Sequence, residues 1–130
     1  MSYNITFTDD NGIITVYSNT VDDAEYIDSI KARWEKTDFT KKCRYTLSDF
    51  TSVTELTVTS DGIRDAAQLC LAASKHNKSI LVVAILPTDL EFGMGRMWQV
   101  YADETGWNSF PARDMKTAKE WLNENLNKNT

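Results

Sequence analysis

Cysteine, proline, histidine and long apolar runs are all scarce in this sequence. The 130 residues include two cysteines, two prolines, five glycines and one histidine. Cys43 and Cys70 form no CxxC pair, which is typical of reduced, buried thiols rather than of a disulfide framework. The longest apolar run, Ile80–Leu86, is far too short to span a membrane, and the N-terminus has no signal-peptide pattern. We therefore expect a cytoplasmic protein with no integral membrane segment.

Basic residues are also fewer than acidic residues. The chain has 14 Lys and Arg against 19 Asp and Glu, a net charge of −5. Binding of nucleic acid or an anionic membrane without sequence preference requires clustered Lys and Arg, and only the short cluster Lys41–Arg44 is present. Nucleic-acid binding is thus not predicted. His76 has no second histidine or carboxylate cluster near it in sequence, so no metal and no cofactor are predicted.

What the chain does contain is a succession of strand and helix patterns. Its length fits one domain, and no repeat or linker divides residues 1–130. A hairpin is predicted from Asn4–Thr8 and Ile13–Tyr17, joined by a turn rich in Asp, Asn and Gly. Arg44–Phe50 follows as a strand, then the apolar run Ile80–Leu86 as the central strand, covered on both faces. Asn108–Ala112 is predicted as an edge strand because it contains a proline.

Four helices are predicted between and after the later strands. The first begins within Thr20–Asp23, ends near Thr37 and buries a stripe at helical spacing, namely Ala24, Ile27, Ile30 and Trp34. The second runs over Ser60–His76, the third from the capping box Thr88–Glu91 to about Thr105, where Gly106 ends it, and Asp114 caps the fourth. The resulting order predicts an α/β fold, a single mixed sheet of about five strands with an N-terminal antiparallel hairpin and then parallel βα units, packed with four helices.

Several local strings resemble a known family. Within Val83–Met97 a buried strand leads to a short cap, then to Phe92-Gly93 and to Arg96 in the following helix. The closing segment ends in Ala118-x-x-Trp-Leu. With the order of elements, these strings resemble the SpoIIAA-like (STAS-like) domains, whose fold is shared with lipid-binding CRAL-TRIO (Sec14-like) domains. The resemblance covers nearly the whole chain.

The resemblance also implies a phosphoacceptor. Anti-sigma-factor antagonists with this fold carry a phosphorylatable serine in an Asp-Ser-Ser-Gly type of turn at the start of the second helix. The matching place reads Thr59-Ser60-Asp61-Gly62, so Ser60 is the corresponding position, although Thr59 stands where the family has Asp and Asp61 where it has the second Ser. The residues alone favour an N-cap role for Ser60, and both interpretations stay open.

The glycines of the third helix invite a nucleotide-loop interpretation that their context does not support. Trp98 stands where the third glycine of GxGxxG belongs, and Gly93 and Gly95 lie inside a helix. Each glycine costs a helix about 1 kcal/mol relative to alanine, so we expect close packing on the sheet, or else backbone access to a ligand. Arg96 is predicted to face a pocket or partner, or to be solvated.

Three classes of function remain open. The leading hypothesis is a non-enzymatic regulatory module, similar to an anti-sigma-factor antagonist, that binds a protein partner and forms a homodimer. The alternative is a carrier or sensor of a small apolar ligand, indicated by the CRAL-TRIO relationship and by the third helix. The third is an enzyme, for which no catalytic motif or residue is found. The predicted partner or ligand surface consists of Asp61, Gly62, Arg64, Phe92, Gly93, Gly95, Arg96 and Trp98, and the predicted apolar cleft of Met94, Met97, Trp98, Tyr101 and Trp107.

Overall fold

A single five-stranded sheet, whose strands follow chain order, organises the computed structural model, which describes residues 2–128. The first two strands pair antiparallel, and every later pair is parallel. The α/β fold with a mixed sheet is therefore as predicted. The strands are β1 (Tyr3–Phe7), β2 (Gly12–Val21), β3 (Tyr45–Leu56), β4 (Leu81–Ile85) and β5 (Asn108–Ala112).

Within residues 2–128, five α-helices and a short 3₁₀ turn (Asp103–Thr105) connect and follow the strands, one helix more than predicted. The first, third and fourth helices cover one face of the sheet, and the fifth covers the other, which gives two apolar cores. Consequently β4 is covered on both faces, as predicted, but β3 and not β4 is the central strand. The helices are α1 (Asp23–Trp34), α2 (Thr37–Lys42), α3 (Ser60–Ser74), α4 (Asp89–Tyr101) and α5 (Met115–Lys128).

The predicted starts of α4 and α5 are confirmed at atomic detail. Thr88 Oγ1 accepts the Glu91 N–H at 3.2 Å, and Glu91 Oε1 accepts the Thr88 N–H at 3.1 Å, which completes a capping box. Asp114 Oδ1 accepts the Thr117 N–H at 2.7 Å. The third predicted helix ends earlier than expected, because α4 stops at Tyr101 and the chain tightens into the 3₁₀ turn before reaching Gly106 in the left-handed region.

The first helix begins within the predicted segment, and Ile30 and Trp34 pack inward as predicted, but its predicted cap and the rest of its predicted buried face are wrong. Thr20 and Val21 still belong to β2, and Asp22 caps α1 by accepting the Glu25 N–H at 2.8 Å. The predicted stripe places Ala24 inside, yet it is exposed. Hydrophobic spacing failed here because the buried face carries polar groups that bond to the sheet. Its buried members are Tyr26, Ser29, Ile30 and Arg33.

Residues 51–56 extend β3 beyond the predicted strand. Pairing with β4 stops at Asp49, whereas pairing with β2 continues to Leu56. This second half of β3 has only one neighbour, and its residues are mostly polar and exposed. That composition explains why the sequence pattern indicated a connecting segment instead.

Candidate functional site

A cleft lies between the sheet and the inner side of α4. Met94, Gly95 and Trp98 of α4 line it, opposite apolar side chains of the sheet that include Ala84 and Leu86. The cleft encloses about 50 Å³, and about 500 Å³ when the open mouth is counted. The enclosed part is thus small, well below the size of pockets that bury a drug-sized ligand.

A buried arginine closes one end of this cleft. Arg33 is only 5% exposed, and its Nη2 donates to Thr15 Oγ1 at 3.2 Å, Ser48 Oγ at 3.1 Å and Tyr17 OH at 3.4 Å. All three acceptors are neutral hydroxyls. The Nε–H group is buried and has no hydrogen-bond partner among the described residues. The cleft therefore contains a cation that no carboxylate of residues 2–128 pairs with.

The hydroxyl groups around Arg33 are held in their neutral form. Burial raises the pKa of Tyr17, an effect that the nearby guanidinium opposes, and burial also raises the pKa of Tyr26. Tyr17 OH lies 2.6 Å from Ser29 Oγ, which donates to the Tyr26 carbonyl. Neither phenol thus supplies the negative charge that would balance Arg33.

Sequence reasoning missed Arg33 because arginine is ordinarily exposed. A signal was nevertheless present in the strands. The alternation of β2 puts Thr15 between the buried Ile13 and Tyr17, and that of β3 puts Ser48 on the same face as the buried Phe50. Hydroxyl groups on a buried sheet face require hydrogen-bond partners. A donor from the covering helix, here Arg33, meets that requirement.

The outer side of α4 carries an exposed apolar stripe. Leu90 is 66% exposed, Met97 37% and Val100 72%. Together with Gly93 they recur at intervals of three and four residues, so they lie along one face of the helix. We call Leu90, Gly93, Met97 and Val100 the α4 stripe. Arg96 is exposed beside it and forms no ion pair within the described part of the chain.

Ser60 lies exposed at the first residue of α3. The cap of this helix is Thr59, whose Oγ1 accepts the Gly62 N–H at 3.2 Å, so the N-cap role predicted for Ser60 is wrong. Asp61 follows with its side chain in an ion pair of 3.1 Å with Arg64 Nη1. The start of α3 therefore presents one hydroxyl, one carboxylate and one guanidinium to solvent.

The two halves of the predicted partner surface have different neighbours. Arg64 lies over the ring of Tyr101, 5.0 Å from its centroid, and its Nη2 is 3.4 Å from the Tyr101 hydroxyl. Phe92 instead lies under Arg113, 4.2 Å from the guanidinium carbon, and Arg113 pairs with Asp89 at 3.0 Å. The start of α3 is thus joined to the last residue of α4, whereas the start of α4 is joined to the segment after β5.

The two α4 glycines have different surroundings. A Cβ atom at Gly95 would overlap Leu86 Cδ1 and lie 3.6 Å from Pro111 Cβ, so close packing on the sheet explains this glycine, which also lines the cleft. A Cβ atom at Gly93 would meet nothing within 4 Å. Trp98 lines the cleft as the sequence predicts, but Trp107 does not, since its Nε1 donates to the Asn77 carbonyl at 2.8 Å.

Other reactive groups are dispersed or buried. Within residues 2–128, no three His, Cys, Asp or Glu side chains converge in a way that could hold a metal ion. Burial raises the pKa of the Cys43 thiol to about 11 and also raises the pKa of Cys70, so neither thiol is poised as a thiolate. None of the described helices is long and apolar enough to cross a membrane.

Comparison with known proteins identifies the fold. No protein-family model and no curated protein matches the chain. The anti-sigma factor antagonist SpoIIAA in its unphosphorylated form is similar in structure, with a TM-score of 0.52 and 10% identity over 92% of this chain and 96% of that one. The Bacillus cell fate determinant SpoIIAA in the phosphorylated form gives the same TM-score and identity over 92% of this chain and 98% of that one. The chain thus has a SpoIIAA-like (STAS-like) fold, as the sequence predicts.

Proposed function

We propose that this chain is a non-enzymatic regulatory module that acts by binding a second protein. The α4 stripe is the observation that carries the proposal. Leu90 and Val100 expose most of their apolar surface on one helix face, and contiguous exposed apolar surface is typical of a contact site. The SpoIIAA-like fold supports the same role, because the similar solved structures are of an anti-sigma factor antagonist.

The stripe also indicates the chemistry of the partner. Arg96 lies exposed beside it without an ion-pair partner among residues 2–128. We expect the partner to present an apolar surface to Leu90, Met97 and Val100, with a carboxylate placed to meet Arg96. We propose a different protein as the partner, because a second α4 stripe would meet the apolar residues but contains no carboxylate to meet Arg96.

The experiment uses a photo-crosslinking residue at position 100 in living cells, followed by identification of the captured protein and direct binding measurements. Leu90→Glu and Val100→Glu should each weaken binding of the purified partner at least about tenfold, because a buried charge at an apolar interface is strongly unfavourable. Met115→Glu is the control, since Met115 is an exposed apolar residue on a different helix, α5. Equal binding by all three variants would contradict the proposal.

Phosphorylation of Ser60 is the regulatory step that we propose for this module. Its hydroxyl is exposed at the N-terminus of α3, where a phosphate is favoured by the helix dipole. Mass spectrometry of the Ser60 peptide from cells in several growth states tests the modification. Ser60→Asp should alter partner binding, whereas Ser52→Asp, at an exposed position of β3, should not.

The homodimer and the cytoplasmic location remain predictions. Sedimentation equilibrium of the unaltered protein and of Val100→Glu measures the first. A dimer that Val100→Glu dissociates would mean that a second copy, and not a different protein, covers the α4 stripe. Fractionation of cells that express the full chain tests the cytoplasmic location.

A further inference from the structure

We propose that the cleft beneath α4 binds a small carboxylic acid, with its carboxylate on Arg33 and its apolar body against Trp98 and Ala84. This inference goes beyond the proposed function, because the cleft lies on the inner side of α4 and the stripe lies on the outer side. Loss of the protein partner would leave this site intact, and loss of this site would leave the stripe intact.

The argument begins with the unbalanced charge. A guanidinium removed from water is costly unless a counter-charge and hydrogen bonds satisfy it. Arg33 is 5% exposed, its hydrogen bonds within residues 2–128 go to hydroxyl oxygens only, and no carboxylate of those residues pairs with it. The cleft therefore lacks a counter-charge for this guanidinium, and an anionic ligand group would supply one.

The shape of the cleft selects the kind of anion. The planar guanidinium matches the two oxygens of a carboxylate. The enclosed volume of about 50 Å³ holds about four water-sized groups, which suits a carboxylate and the first atoms of its body. Beyond Arg33 the walls are largely apolar, with Val82, Ala84, Leu86, Met94 and Trp98, and no acidic side chain of residues 2–128 lines the cleft. Arg33 is the single charged residue among the described lining residues, so the greater charge of a phosphate would be only partly balanced here.

A purely structural role does not account for these features. Arg33 bridges α1 to β2 and β3 through Nη2 alone. Such a bridge requires hydrogen-bond donors but no charge, and it leaves the open space between Arg33 and α4 unexplained. The charge and the open space both follow if the guanidinium holds a ligand group that enters from the mouth of the cleft.

The test compares acids with their neutral amides on the full-length protein. Benzoate and hexanoate are titrated against benzamide and hexanamide by calorimetry, and NMR follows the Nε–H of Arg33 and the indole N–H of Trp98. The acids should saturate and shift both signals, and the amides should bind at least about tenfold more weakly, since hydrogen bonds to charged groups are the stronger ones. Arg33→Met should lower the affinity for the acids by a similar factor. Lys31→Met, which removes an exposed cation from the same helix, should leave that affinity unchanged.

Any of the following results would overturn the proposal. The first is equal affinity for acid and amide, and the second is undiminished acid binding by Arg33→Met. The third is absence of saturation by either acid, or tighter binding of inorganic phosphate than of both acids. If Arg33→Met does not fold, the comparison of acid and amide on the unaltered protein still decides.

Discussion

Asp23 holds Thr59 through both of its carboxylate oxygens. Its Oδ1 accepts the Thr59 N–H at 2.7 Å, and its Oδ2 accepts the Thr59 hydroxyl at 2.6 Å. Thr59 Oγ1 in turn accepts the Gly62 N–H at 3.2 Å and so caps α3. The first residue of α1 therefore fixes the cap of α3, at the place where the exposed Ser60 begins that helix.

Removal of this carboxylate should destabilise the protein. Asp23→Ala should lower the free energy of unfolding by about 1–2 kcal/mol, because two hydrogen bonds and the support of a helix cap are lost. Thr59→Ala should lower it by a similar amount, and the double variant by less than the sum, since both changes remove one network. Urea unfolding measures all three, with Asp65→Ala, exposed on α3, as the control. Strictly additive losses would contradict the coupling.

Two helical glycines should respond to alanine with opposite signs. Gly93→Ala should raise the free energy of unfolding by about 0.5–1 kcal/mol, because alanine favours the helix and the new Cβ would meet nothing within 4 Å. Gly62→Ala should lower it, because its Cβ would overlap Asp23 Oδ1 and displace the carboxylate that holds Thr59. Urea unfolding of both variants checks the signs. A gain at both positions would show that helix propensity alone governs them.

Replacement of the buried arginine should cost only moderate stability. Arg33→Met removes a cation that no described carboxylate pairs with, but it also removes the donor to the Thr15 and Ser48 hydroxyls, so the free energy of unfolding should fall by only about 1–2 kcal/mol. Chemical unfolding, with no added ligand, measures this. A loss of about 3 kcal/mol or more, the usual result of breaking a buried ion pair, would indicate that the guanidinium is primarily a structural bridge.

The hydrogen bond from Tyr3 to Asp28 predicts a pH dependence at the alkaline end. The Asp28 carboxylate accepts the Tyr3 hydroxyl, and this bond, with a smaller contribution from burial, raises the pKa of Tyr3 from 10.0 to about 12. The neutral phenol is thus favoured in the folded state, so its contribution to stability is complete below pH 10.0 and is lost as pH rises to about 12.

Tyr3→Phe should therefore lose less stability than the unaltered protein over that pH range, and Asp28→Asn should behave similarly. Urea unfolding at successive pH values measures the difference, and tyrosinate absorbance follows the ionisation itself. Because other tyrosines titrate as well, the comparison is between variants at each pH. Identical slopes in Tyr3→Phe and the unaltered protein would disprove the assignment.

Features set by residues close together in the chain were predictable from the sequence. The capping box of Thr88 and Glu91 and the cap at Asp114 depend on side chains that reach three residues along the backbone. The short strand β4 was also predictable, because it is apolar on both faces. These local signals, together with the order of elements, were enough to predict the fold.

Features set by distant partners were not predictable. Arg33 is buried because Thr15 and Ser48, on two neighbouring strands, present hydroxyls to α1, and its charge alone predicts exposure. The contact of Arg64 with Tyr101 likewise joins residues that are 37 positions apart. The contact of Arg64 with Tyr101 depends on how α3 and α4 cross. The hydrophobic spacing within each helix does not specify that crossing.

The outer edge of β5 has a consequence for self-assembly. The Ala112 carbonyl accepts the Leu86 N–H at 2.7 Å and so points toward β4, which by alternation turns the peptide groups of Ser109 and Pro111 outward. Proline has no N–H to offer, and the Ser109 carbonyl already accepts a bond of 3.2 Å from Gln99 Nε2. Two of the outward positions on this edge therefore cannot bond to an incoming strand, which disfavours the joining of two copies by sheet extension at β5.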